Sequence, residues 1–288
     1  MMDRKKQLKL LAFCFLIVVT AFALGSCGED APAASGTDAP ADQQAAGDTY
    51  EIRITGDEDN EAAAELLALM NQYREDQGMD ALEWNDEPAE MLRVRAAELA
   101  IDFLDTRLDG TPGEETARGS CDSIEEGAGQ LLKDEGFERL LQDPENRSFC
   151  AGVYLSYSGQ TYIAAGLYAK AGVKDAPSAP SKERTFTLSV VDDSLNCYGQ
   201  LMDQEMEPED PKELYQGESY YYCIFNKNAA DGNKEELIGM VAESSDPKVV
   251  SINEFGDVEA KAAGAATLTV RPAKGSGIEF VQEVKVRK

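Results

Sequence analysis

Histidine is absent from all 288 residues. That gap removes the neutral imidazole nitrogens on which most protein zinc sites and the usual Ser–His or Cys–His nucleophile pairs depend. Basic side chains are also scarce: 27 Lys and Arg stand against 54 Asp and Glu, for a formal net charge of −27. A nucleic-acid partner needs clustered cations to displace counterions from phosphate, so this balance argues against one. The longest uncharged apolar run, Leu10 to Gly25, has sixteen residues, short of the roughly 20 of a bilayer span. No Gly-rich phosphate loop is present, and the sequence therefore carries no cofactor motif and implies no cofactor.

The residues that are present begin with a secretion pattern. Arg4, Lys5, Lys6 and Lys9 precede the apolar run, which leaves through small residues at "LGSC", Leu24 to Cys27. This exit resembles the lipobox of bacterial lipoproteins, in which cleavage precedes the cysteine and the thiol carries diacylglycerol. The resemblance implies a signal peptide over 1–26, a lipid on Cys27 and a place on the extracytoplasmic face of the cell membrane. Losing residues 1–26 deepens the net charge from −27 to −30. Residues 27–48 are mostly Ala, Pro, Gly and Asp, with almost nothing large enough to pack, and read as a disordered tether.

Cys121, Cys150, Cys197 and Cys223 remain once Cys14 and Cys27 are set aside. They lack the C-x-x-C spacing of a zinc site, so they read as structural bridges or buried thiols. Of the three possible pairings, the domain division favours Cys121 with Cys150 and Cys197 with Cys223.

Ala63, Leu66, Leu67, Met70 and Tyr73 recur at three-and-four spacing, predicting a helix capped by Asn60 and stopped at Gly78. A second helix is predicted from Asn85 or Asp86, with Pro88 in its first turn, a stripe of Met91, Leu92, Ala96, Leu99 and Phe103, and an end near Asp105. Alternating runs separated by "SGQ" predict a hairpin of Phe149 to Tyr157 with Thr161 to Lys170. Helices followed by strands imply an α+β fold.

Asn71 and Arg74, Leu82 and Trp84, then Thr106, Arg107, Asp109 and Gly110, then Gly152, Val153 and Tyr154 follow one another in the order found in the CAP (SCP-like) superfamily, which residues 49–170 resemble. The resemblance implies an α/β/α sandwich with a cleft in which two histidines and two acids surround a cavity. Here the first histidine position holds Asp105, the second falls at Phe137 or Glu138, and the acid of the family's "GENI" survives as Glu125 or Glu126. The implied cleft is thus degenerate, with Asp105, Glu125, Glu126 and Glu138 as its carboxylates and no metal expected. Oxygen ligands alone suit calcium, which sets one alternative. An apolar groove lined by Tyr154, Tyr157, Tyr162 and Tyr168, suited to a lipid or sterol, sets another.

Residues 171–183 read as a linker, and 184–288 as about seven short strands beginning with "TFTLSVV". The stretches "LYQGESYYYCIF" and "SSDPKVVSINEFGDVEAKAAGAATLTV" resemble the bacterial Ig-like group 2 domain, which implies an all-β sandwich. Gly256 is read as a hairpin turn, and Val241 or Met240 as filling the place of that family's tryptophan. Together these readings predict a non-enzymatic, lipid-anchored protein with a cell-wall, glycan or protein ligand; acid–base hydrolysis by cleft carboxylates is the catalytic alternative.

Overall fold

In a computed structural model, residues 48–173, 180–208 and 213–288 are described. The expected signal peptide, Cys27 and the tether up to residue 47 lie outside the described residues, as do 174–179 of the expected linker. In β1 (Tyr50–Glu58) alternate side chains are buried, the period of two that a pleated strand imposes. The cap of α1 (Asn60–Asp76) is one residue earlier than expected: the Asp59 carboxylate accepts the Ala62 N–H at 2.9 Å, satisfying an orphan donor of the first turn. Asn60 is instead buried, and its amide donates to Glu58.

After β2 (Glu83–Trp84) comes α2 (Ala89–Ile101), which stops at Ile101 rather than near Asp105, because the backbone turns extended at Asp102. Neither expected side chain caps its start: Asn85 accepts the Glu87 N–H and Asp86 the Trp84 indole N–H, both ahead of the helix. There follow β3 (Ala117–Cys121), α3 (Ile124–Leu131), α4 (Glu135–Leu141) and the hairpin strands β4 (Ser148–Leu155) and β5 (Thr161–Tyr168). These strands and β6 (Lys182–Val190) form one sheet in the order β3-β5-β4-β1-β6, with β2 beside β4. Helices cover both of its faces. α2 lies directly on β4 at Gly152, where an added Cβ would sit 2.1 Å from the Leu92 carbonyl oxygen. α3 rests through Gly127 on Ile163, which pairs with Val153, and so covers the opposite face.

The edge strand β6 corrects the expected boundary. The expectation that "TFTLSVV" opens the second sandwich from residue 184 fails, because β6, which contains this stretch up to Val190, pairs with β1 over nine positions, from Glu58 opposite Lys182 to Tyr50 opposite Val190. The pairing is fixed by burial of Phe186, Leu188 and Val190 on the face that β1 also buries.

The remaining described strands are β7 (Cys197–Met202), β8 (Glu213–Tyr215), β9 (Ser219–Lys227), β10 (Lys234–Leu237), β11 (Val241–Ser244), β12 (Val250–Ile252), β13 (Asp257–Ala260), β14 (Gly264–Arg271) and β15 (Phe280–Arg287). They form two sheets, β10-β9-β13-β12 with β7 beside β9, and β11-β14-β15-β8. Leu201, Tyr222, Ile224, Val258, Leu268 and Val284 are buried in this half. Met240, not Val241, is buried there and approaches Gly256, whose φ of +82° makes the expected turn. The fold is α+β and largely β. All described residues belong to one compact unit, and no described helix is long and apolar enough to cross a membrane.

Candidate functional site

The loop "FLDTRLDG" is placed from both ends of the chain. A helix leaves its last carbonyls without intrahelical donors. In α2 these are taken by two fully buried asparagines of the second half: the Asn228 amide donates to Leu99 and Ala100 at 2.8 and 3.1 Å, and that of Asn226 to Ile101 at 2.8 Å. The loop then folds back tightly, with Thr106 bridged to Pro112 and Arg107 N–H donating to Thr111 at 2.7 Å. Leu108 is buried, and its carbonyl accepts from Val191 N–H and the Ser194 hydroxyl. Burial pushes the Asp109 carboxyl up, but the hydroxyl and N–H of Thr111 outweigh it and hold the group below the ordinary range.

Against this loop runs a chain of six alternating charges. Arg107 grips Glu98 through Nε and Nη2, the latter at 2.7 Å; Glu98 meets Arg95 at 3.4 Å; Arg95 meets Glu115 at 2.8 Å; Glu115 meets Arg118 at 3.8 Å; and Arg118 pairs with Asp105. Arg95, Glu98 and Glu115 have side chains at most 3% exposed, whereas Asp105 is 86% exposed. The hydrogen bonds that Arg107 donates to Glu98 hold its guanidinium above its usual range. Glu115 is held by charge alone, since neither of its oxygens has a hydrogen-bond partner of good geometry. The outer end of the chain opens on a cavity of about 420 Å³ lined by Phe103, Asp105, Glu115, Thr116, Arg118 and Asp134, with the Arg118 guanidinium over the Phe103 ring at 5.5 Å.

The four expected cleft carboxylates do not converge. Asp105 reaches the cavity; Glu125 and Glu126 lie exposed on α3. Glu126 serves the start of that helix, its carboxylate accepting the N–H of Asp122, one residue before the cap, while the hydroxyl of the cap residue Ser123 accepts the Glu126 N–H. Glu138 on α4 accepts the Tyr73 hydroxyl at 2.6 Å. Among the described residues no three Cys, Asp or Glu side chains are arranged to hold a metal ion. The tyrosine groove is likewise corrected: Tyr154 and Tyr162 are buried with their hydroxyls on Glu235 and Asp231, whereas Tyr157 is exposed and bonded to Glu183. Tyr154 and Tyr162 lie opposite each other on one face, which β10 and the loop before it cover, whereas Tyr157 lies beyond the end of β4, in the turn.

The expected disulfides are also not formed, and all four cysteines are free thiols. Cys121 lies opposite Thr161 and Cys150 opposite Gly166, on opposite sides of β5 and five positions apart along it. Cys197 lies opposite Asn226, three positions from Cys223 on β9. At roughly 3.3 Å per residue both offsets exceed the reach of a bridge. Burial pushes the Cys121 thiol up to about 11 and those of Cys150 and Cys197 up to about 12.

The motif residues Asn71 and Arg74 are scaffolding. The Asn71 amide exchanges two hydrogen bonds with the Leu82 backbone, and the buried Arg74 guanidinium donates to Asp80 and Leu141 carbonyls. Sequence reasoning misses Arg95, Glu98, Glu115 and Arg118. The available signal is Arg95 and Glu98 three apart inside the apolar stripe between Leu92 and Leu99. Models of known protein families and curated proteins give no match to this chain.

Proposed function

We propose that the chain is a lipid-anchored bacterial surface protein that binds rather than catalyses, built from a degenerate CAP-like α/β/α layer fused to an Ig-like β-sandwich. The observation that carries this reading is the closed alternation of Arg107, Glu98, Arg95, Glu115, Arg118 and Asp105. General acid–base work needs a carboxyl free to exchange its proton near neutral pH, and a metal needs converging ligands with spare lone pairs. Here each carboxylate of the alternation is ion-paired with a guanidinium, and among the described residues no three carboxylates are arranged to hold a metal ion. The Asp105–Arg118 pair beside the Phe103 ring instead suits recognition of a polar cell-wall glycan or peptide.

Anchoring follows from "LGSC" and the basic front of the sequence. Both parts of the reading are tested with the full chain. Membrane fractionation should show Cys27→Ala released. Cosedimentation with cell-wall sacculi should be saturable, weakened by Arg118→Ala, and unaccompanied by soluble fragments; fragment release would overturn the non-catalytic reading.

A further inference from the structure

Where the second half meets the first sheet, a carboxyl is buried without a cation. Glu235 of β10 is 2% exposed, and Tyr154 of β4 donates its hydroxyl to Oε2 at 3.1 Å. Oε1 has no hydrogen-bond partner. Beside it Asp231, in the β9–β10 loop, accepts from the Tyr162 hydroxyl of β5 at 2.8 Å and from Ser120 Oγ at 2.9 Å. An isolated carboxylate in such a place is costly, and a neutral carboxyl is far less so.

The groups facing Glu235 from β4, β5, β9 and β1 offer it no compensating charge, and α2, which also packs against β10, has no side chain among the groups acting on it. β4 and its following turn bring Tyr154 and Ser156, and β5 brings Tyr162. β9 places Asn226 opposite it, with that amide committed to the end of α2. β1 adds the Thr55 carbonyl, on which Tyr154 also rests, while Arg53 of that strand bridges Ile238 and sits against Gly239. The charged group acting on Glu235 is Asp231, of like sign.

We propose that Glu235 is a proton-operated latch: protonated, it lets β10 and the Asp231 loop clasp the Tyr154–Tyr162 face of the first sheet, and its ionisation loosens that clasp. Burial, with Asp231 adding to it and the Tyr154 and Ser156 hydroxyls opposing, pushes the Glu235 carboxyl up from 4.5 to about 7. Burial pushes both tyrosines up as well, so they remain hydroxyl donors throughout. A group whose folded value is raised contributes stability that is fully present below its unfolded value and lost as pH rises through the folded one. The latch is therefore shut in mild acid and slack in mild alkali, and the departing proton goes to solvent.

The test is hydrogen–deuterium exchange of the full chain between about pH 5 and about pH 9, corrected for intrinsic exchange. Amides of β10 should lose protection by about tenfold per pH unit up to about pH 7 and then level off. Glu235→Gln should hold β10 protected, without a step, across the range. A flat wild-type profile, or a step that persists in Glu235→Gln, would overturn the latch. Should Glu235→Gln not fold, Asp231→Asn decides: removing the like charge should move the step to lower pH, and an unmoved step refutes the proposal.

Discussion

Asn228 and Leu99, 129 positions apart, are joined by a 2.8 Å hydrogen bond from a fully buried amide to the last turn of α2. The second half thereby supplies the helix cap that the first half lacks, since Asp102 offers no side-chain substitute. Asn228→Ala and Asn226→Ala should each leave buried carbonyls unpaired and cost about 1–3 kcal/mol. Denaturant unfolding followed by tryptophan emission and by far-UV dichroism should show one shared transition, shifted down in both variants. Two separated transitions in the wild type would indicate independent halves.

At Gly152 even a single methyl has no room. A Cβ would press into the Leu92 and Arg93 backbone, which no rotamer change relieves. Gly152→Ala should force α2 off β4 and cost about 3 kcal/mol. Thermal unfolding of this variant beside Gly129→Ala, where a Cβ meets nothing within 4 Å, checks the claim.

Breaking the charge chain at its centre should cost more than breaking it at its rim. Arg95→Leu leaves buried Glu115 with only the more distant Arg118, while Glu98 keeps Arg107, and should cost about 3 kcal/mol; Asp105→Ala removes an exposed partner and should cost about 1 kcal/mol or less. Replacing Arg95 and Glu115 together by Leu should recover part of the loss. Equal costs for the two single variants would show that the chain is not buried as described.

The thiols give an independent check on the fold. With Cys121 raised to about 11 and Cys150 to about 12, little thiolate is present at neutral pH, so a disulfide-exchange reagent should label the native chain slowly and the four described cysteines quickly after unfolding. Non-reducing peptide mapping that finds a Cys121–Cys150 or Cys197–Cys223 bridge would contradict the strand registers.

Much of this is legible in the sequence, and the failures have physical reasons. Local patterns place α1, the β4–β5 hairpin and the Gly256 turn, because spacing and turn chemistry act over a few residues. The end of α2 escapes them because its stop comes from Asn226 and Asn228, far along the chain. β6 falls to the wrong half because alternation gives a strand its faces but not its partner. Analogy groups Glu125, Glu126 and Glu138, whereas the capping role of Glu126 and the bond of Glu138 to Tyr73 depend on local geometry. Glu235 gives no signal at all: its neighbours in sequence are charged, and only the docking of β10 buries it.

The central claim is that the carboxylates of the charge chain are committed to guanidinium partners and hold no cation. Titration calorimetry of the full chain with zinc and with calcium, repeated on Asp105→Ala, tests it most directly. The account predicts no saturable binding at micromolar concentration and no difference between the two proteins. Micromolar binding that disappears in Asp105→Ala would contradict it.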